Sequence, residues 1–334
     1  MTSVAHVDRS DMWTWGKGLN RPECVLTFDS GDLVVSHKAA GVSHIDADGE
    51  VTTVGQHAEV EGSELVPNGI SLGPDGRVLI ANIGMAGGLW ALDREARLEP
   101  VARDADGSTL AAANAVTVED RSGRIYVSVS TRRQPRFEAF RRDVADGFVA
   151  MVGDGPARIV ADDLSFPNEL RITPDGRSLY VSETFGRRIT KFAIGSDGLL
   201  SNPETFAEFG AGDFPDGIAL DAEKHVWVTS IVSNRLYRVS PSGDVDRVFE
   251  DADALFVGDV EKALVENRMN AEHFYTQGPD RLPNIASIAF GGPDRRTAYL
   301  GSLFGDTLIA FRSPVPGHPS GQYSGARLPR WSRR

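Results

Sequence analysis

The chain has 334 residues, 41 % hydrophobic and 25 % charged, a composition that supplies a large core and excludes an intrinsically disordered polymer. Its formal net charge of −12 speaks against nucleic acid and anionic membrane surfaces as partners, since both are held by basic residues. The single cysteine, Cys24, cannot form an internal disulfide, no apolar run approaches the roughly 20 residues of a membrane helix, and the polar start lacks a signal-peptide pattern; the expectation is a cytoplasmic protein with a small-molecule partner.

In chain order, the first recurring unit reads PECVLTFDSGDLVV at 22–35, then GVSHID at 41–46 and GEVTTVG at 49–55. The second opens with PNGISLGPDGRVLIA at 67–81 and continues as GGLWALD at 87–93. NAVTVEDRSGRIYV at 114–127 and GFVAMV at 147–152 form the third; PNELRITPDGRSLYV at 167–181 and RITKFAI at 188–194 form the fourth. The fifth is PDGIALDAEKHVWVT at 215–229 with NRLYRVS at 234–240 and GDVDRVF at 243–249, and the sixth is ASIAFGGPDRRTAY at 286–299 with DTLIAF at 306–311. Each unit begins with an alternating apolar strand, a polar hairpin turn and a second strand. Four short strands per unit predict an all-β fold, a six-bladed β-propeller with four-stranded antiparallel blades, as a single domain over 1–334.

Blades begin near 23, 68, 114, 168, 216 and 287, and the uneven spacing places insertions near 132–147 and 250–283. The first insertion is rich in arginine (Arg132, Arg133, Arg136, Arg141, Arg142) and reads as a solvated loop. The second contains DVEKALVENRMNAEHF, which predicts a short helix, and is expected to cover the metal end of the channel with Phe256, Met269, Phe274 and Tyr275 as an apolar wall. The closing blade should take a strand from the stretch before Arg21 or from beyond Phe311, and the tail from about 315 should hang free.

The position that opens each unit reads Glu23, Asn68, Asn114, Asn168, Asp216 and Ser287. The first strand of a propeller blade lines the channel, so six oxygen-bearing side chains should converge there. Turn capping accounts for Asn and Asp singly but not for Glu23. Two carboxylates sharing a secluded site repel unless a cation is present. An all-oxygen set predicts a central site for one divalent cation, best suited to Ca²⁺, with Mg²⁺ and Mn²⁺ as alternatives; Zn²⁺ is less suited, because the ring has neither His nor Cys. No nucleophile elbow, phosphate loop or dinucleotide fingerprint is present.

These residues, and the stretches PNELRITPDGRSLYVSET, FPDGIALDAEKHVWV and SIAFGGPDRRTAYLGS, make the sequence resemble the SMP-30/gluconolactonase family, also called luciferin-regenerating-enzyme-like, over about residues 20–313. The resemblance implies a metal held by Glu23, Asn168 and Asp216, with Asp216 also a general acid/base and Asn114 contacting substrate or metal-bound water. It implies a metal-dependent hydrolase of a lactone or related ester. Asn68 and Ser287 of the ring and His273 of the second insertion are further substrate-side candidates, with His273 or Glu272 as a candidate to share proton transfer. Sugar-lactonase members carry an arginine where this chain has Ala112, which speaks against a simple aldonolactone. Alternatives are a non-catalytic ligand- or protein-binding propeller with structural Ca²⁺, or a phosphotriesterase-like or strictosidine-synthase-like activity on the same frame.

Overall fold

The structure, a computed structural model, describes residues 6–38, 40–55, 57–274, 278, 280–318 and 331. The repeat folds as six four-stranded antiparallel sheets in a propeller arrangement. The inner strands are Val25–Thr27, Pro67–Leu72, Ala113–Val118, Pro167–Ile172, Pro215–Leu220 and Ile285–Gly291. In the first five blades the sheet order follows the chain, from the inner strand outward. Blade six takes its outermost strand from the other end of the chain: Trp13–Trp15 pairs antiparallel with Leu308–Arg312, Trp13 opposite Ala310. Of the two closures the sequence allows, the ring uses the segment before Arg21.

Apolar clusters lie between neighbouring blades, as a propeller requires. Leu79, Ala81 and Leu89 of blade two pack with Val116, Val127 and Phe148 of blade three, all under 8 % exposed. Trp227 of blade five lies against Phe290 and Phe311 of blade six and donates its indole N–H to Asp221 at 3.0 Å.

Both insertions leave the propeller at one end. Within each blade the second strand returns to the start of the first, and the fourth returns alongside the third. Loops after second and fourth strands therefore emerge beside the head positions, and the two insertions are such loops. Their meeting buries Ala139, Phe140 and Val144 of the first against Val257, Val260 and Leu264 of the second.

Three expectations are corrected here. The helix, α1, spans Ala254–Val265, earlier than DVEKALVENRMNAEHF suggested, because Asp253 caps it by accepting from the N–H groups of Leu255 and Phe256 at 2.9 and 3.0 Å. Asn267, at φ 55°, follows its end, and only a 3₁₀ turn, Ala271–Phe274, comes after. The tail is held on blade five from 316 to 318, where Ala222 N–H donates to Pro316 and His318 N–H to Leu220; residues 319–330 and 332–334 lie outside the described residues. The arginine-rich insertion is not uniformly solvated: Arg132 forks onto Asp162 and lies over the Phe148 ring, and Arg136 turns inward. Among the described residues no helix is long and apolar enough to cross a membrane.

Candidate functional site

A repeated irregularity aims the head side chains. Each inner strand of blades two to six shifts register beside its head residue, between Pro67 and Ile70, Ala113 and Val116, Pro167 and Leu170, Pro215 and Ile218, and Ile285 and Ser287. Such bulges break the alternation of a strand and re-aim one side chain. In blade one the same task falls to a tight turn, with Arg21 at φ 53° and Glu23 N–H donating to the Arg21 carbonyl at 2.8 Å. The glycines after Asn68 and Asp216 let the inner strands close in: a Cβ on Gly69 would lie 2.5 Å from Ala115 Cα, and one on Gly217 2.5 Å from the Ala286 oxygen. Hydroxyls then tie each blade to the next. Ser128 donates to the Asn168 carbonyl, Ser182 to that of Asp216 and Thr229 to that of Ala286, at 2.5–2.8 Å.

Glu23, Asn68, Asn114, Asn168, Asp216 and Ser287 all line one cavity of about 20 Å³, room for a single small ion or water. All six are buried. Their hydrogen bonds divide them. Asn68 gives its oxygen to Arg21 at 2.8 Å and its amide to the Asn114 carbonyl at 3.0 Å. Asn114 accepts from Asn68 at its side-chain oxygen and donates to Ser130 at 2.6 Å. Asn168 uses only its amide, toward Thr184 at 3.3 Å, and no described residue donates to its oxygen or to the Asp216 carboxylate. Glu23 Oε2 and Ser287 Oγ are buried without a hydrogen bond, although Arg21 forms an ion pair with that Glu23 oxygen. Oxygens without an internal partner therefore remain on Asn168, Asp216 and Ser287, while Glu23 is ion-paired with Arg21.

Sequence reasoning missed three charged neighbours. Glu169 lies beside Asn168 in the bulge and pairs with Arg171. Arg21 bridges Glu23 and Asn68. Arg136 arrives from the blade-three insertion, half-buried, with the charges of Arg21, Glu23 and Asp216 acting on it. No repeat pattern marks any of them. Burial, then Glu23 and Glu169, hold the Asp216 carboxyl well above its ordinary range despite both arginines. Burial likewise raises Glu169 and, with Arg21 adding, lowers the Arg136 guanidinium to about 10. Burial pushes the Cys24 thiol up to about 12, which makes it a packing group and not a nucleophile.

An oxygen-bonding divalent cation fits this donor set: two carboxylates in mutual repulsion, an amide oxygen without a donor and an orphaned hydroxyl oxygen on Ser287. No group of three or more His, Cys, Asp or Glu side chains arranged for a metal occurs among the described residues, so such an ion would depend on amide oxygen as well as carboxylate.

The apolar cluster of the two insertions packs on Phe166 and Phe214, two residues ahead of Asn168 and Asp216, and on Ala286, next to Ser287. Met269 belongs to it, with Phe256 and Phe274 at its edge; Tyr275 lies outside the described residues. His273 does not line the cavity. Its Nδ1 lies 2.8 Å from Asn270 Oδ1, within its own 3₁₀ turn. The far ends of the inner strands surround a second opening of about 200 Å³, lined by Thr27, Glu119, Asp120 and Arg171 among others.

Comparison with known proteins agrees with this architecture. The chain is 27 % identical over 225 residues to a 6-deoxy-6-sulfogluconolactonase of Pseudomonas putida, covering 66 % of this chain and 64 % of that one. It is 28 % identical over 171 residues to a strictosidine synthase-like protein of Arabidopsis thaliana, covering 49 % and 44 %. The chain thus spans less than two thirds of the length of both. The solved structure of regucalcin from Agrobacterium tumefaciens, described as a calcium-binding protein, superposes with a TM-score of 0.62 at 17 % identity over 94 % of each chain. The model of the SMP-30/gluconolactonase/LRE-like region matches residues 54–252, more than half of the sequence, and the chain belongs to that family.

Proposed function

We propose that this protein is a divalent-metal-dependent hydrolase of a lactone or related ester. The observation that carries the reading is the division among the head residues: Asn68 and Asn114 spend their oxygens on hydrogen bonds within the protein, Asn168 and Asp216 keep theirs for a ligand, and Glu23, ion-paired with Arg21, lines the same cavity. Those three would hold the cation, and Ca²⁺ suits all-oxygen donors of differing reach. Bound there, the cation supplies Lewis-acid polarisation of the substrate carbonyl. Asp216 accepts a proton from the attacking water and returns it to the leaving alkoxide, as a general acid/base. Asn114, fixed by Ser130 and Asn68, orients the substrate. His273, tied to Asn270, receives no proton-transfer role.

The test is turnover of a panel of five- and six-membered lactones with Ca²⁺, Mg²⁺ or Mn²⁺, beside Asp216→Ala. The expected result is metal-dependent hydrolysis that falls by at least about 10²-fold in the variant. A second reading, a ligand-binding propeller with the cation as a structural plug, draws on the narrowness of the cavity. Stoichiometric metal with no hydrolysis of any lactone would favour it.

A further inference from the structure

Arg21 holds a backbone conformation, φ 53°, that suits glycine, and it stands directly before Pro22. The turn alone gives no reason for an arginine there, but the side chain does. The guanidinium, mostly buried, donates from Nη1 to the Pro67 carbonyl at 3.2 Å and from Nη2 to Asn68 Oδ1 at 2.8 Å, and it forms the ion pair with Glu23. Asn68, its oxygen taken, turns its amide to Asn114, and Asn114 in turn donates to Ser130. One guanidinium thereby engages, directly or by this relay, the head side chains of blades one to three. The ring oxygens without an internal partner, on Asn168, Asp216 and Ser287, all belong to blades four to six.

Arg21 gives the Glu23 carboxylate a positive partner that needs no metal, as Arg171 does for Glu169. A buried charge left alone is costly, so this pairing lets the ring fold without an ion. For a cation held by Glu23, Asn168 and Asp216 the same pairing has two opposite effects. The fork fixes Glu23, which saves the ordering of one side chain, at most about a factor of 30 in affinity. Its charge also repels a second cation at the same carboxylate, which in an enclosed site is worth on the order of a hundredfold or more. Repulsion outweighs the gain.

We infer that Arg21 is the resident counter-cation of the ring: it contends with the divalent ion for Glu23 and sets how loosely that ion is held. This inference rests on the cation reading, and its test separates the two. Ca²⁺ is titrated calorimetrically into chelator-treated wild type, Arg21→Met, Arg21→Gln and Arg21→Lys. Both neutral variants are expected to bind Ca²⁺ at least about tenfold more tightly than the wild type, while Arg21→Lys, which keeps the charge, stays within about threefold of it. Arg21→Gln retains a donor for Asn68 and carries the test if Arg21→Met does not fold. In chelator the neutral variants should melt below the wild type, and Ca²⁺ should raise their Tm by more than it raises that of the wild type. If Arg21 only positions Glu23, its loss weakens Ca²⁺ binding. Equal or weaker binding by the neutral variants, or an equal gain in Arg21→Lys, therefore overturns the inference and leaves the cation reading standing. Binding confined to the neutral variants upholds the inference and refutes a metal requirement in the wild type. No binding of Ca²⁺, Mg²⁺ or Mn²⁺ by wild type or variants overturns both.

Discussion

Asn168 and Asn68 sit at equivalent points of two blades, yet their surroundings assign them different work. The Asn168 amide is held by Thr184 and its oxygen is left over; the Asn68 oxygen is taken by Arg21. Asn168→Ala should therefore weaken Ca²⁺ binding by at least about tenfold, a contact worth roughly 1.4 kcal/mol, while Asn68→Ala leaves it within about threefold. Equal losses in a calorimetric titration would contradict the division drawn here. Asp216 makes a second prediction, through pH. Its carboxyl ionises well above the unfolded value of 3.8, so the native state holds this proton more tightly than the unfolded chain does. The group's contribution to stability is greatest below the unfolded value and is lost as pH rises through the native one. In chelated protein, Asp216→Asn should melt above the wild type near neutral pH, the gap closing on acidification; a wild type as stable as the variant at neutral pH would refute this. Five of the six head residues were legible because the repeat writes them at one position; in blade six the strand register gives that position to Ala286, and Ser287 lies one residue on. Glu169, Arg21 and Arg136 were not, since a bulge, a turn and an insertion place them, and none of the three follows the strand period.

At the scale of elements, alternation and turn chemistry announced the strands, whereas the register shifts were silent in the sequence. A bulge adds a residue without altering the apolar pattern on either side, so PNELRI and PDGIAL read as plain strands. The helix was legible in kind and misplaced in position, because its start is set by the Asp253 cap. Its docking depends on Glu261, which pairs with the buried Arg187 and accepts the Gly212 N–H at 2.9 Å. Arg187 also lies over the Phe214 ring, 5.3 Å from its centroid. Removing one partner strands a buried charge, so Glu261→Ala should cost about 2–3 kcal/mol, the lower end for such a pair because Glu261 is partly exposed. Denaturant unfolding measures the loss, and amide exchange should quicken in α1 before it does in the blades. Uniform exchange throughout would mean that the cover and the propeller open as one unit.

For the molecule as a whole, the blade count could be read from the sequence, but the closure could not, since both ends offered plausible strands. Because the candidate ion would join residues from blades one, four and five, Ca²⁺ at about 100 times its Kd should stabilise the fold by about 2.7 kcal/mol and chelation should lower Tm accordingly. An identical melting curve after verified metal removal would show that the site is not coupled to folding. The seam at Trp13 and Ala310 also orders events in time. On the ribosome the Trp13–Trp15 strand, made early, must wait unpaired until Leu308–Arg312 has emerged. Pairing between such distant segments is slow, and an open edge invites pairing with another molecule. A circular permutant beginning between blades would make both halves of the seam in immediate succession, exchanging the longest wait in the fold for a local hairpin.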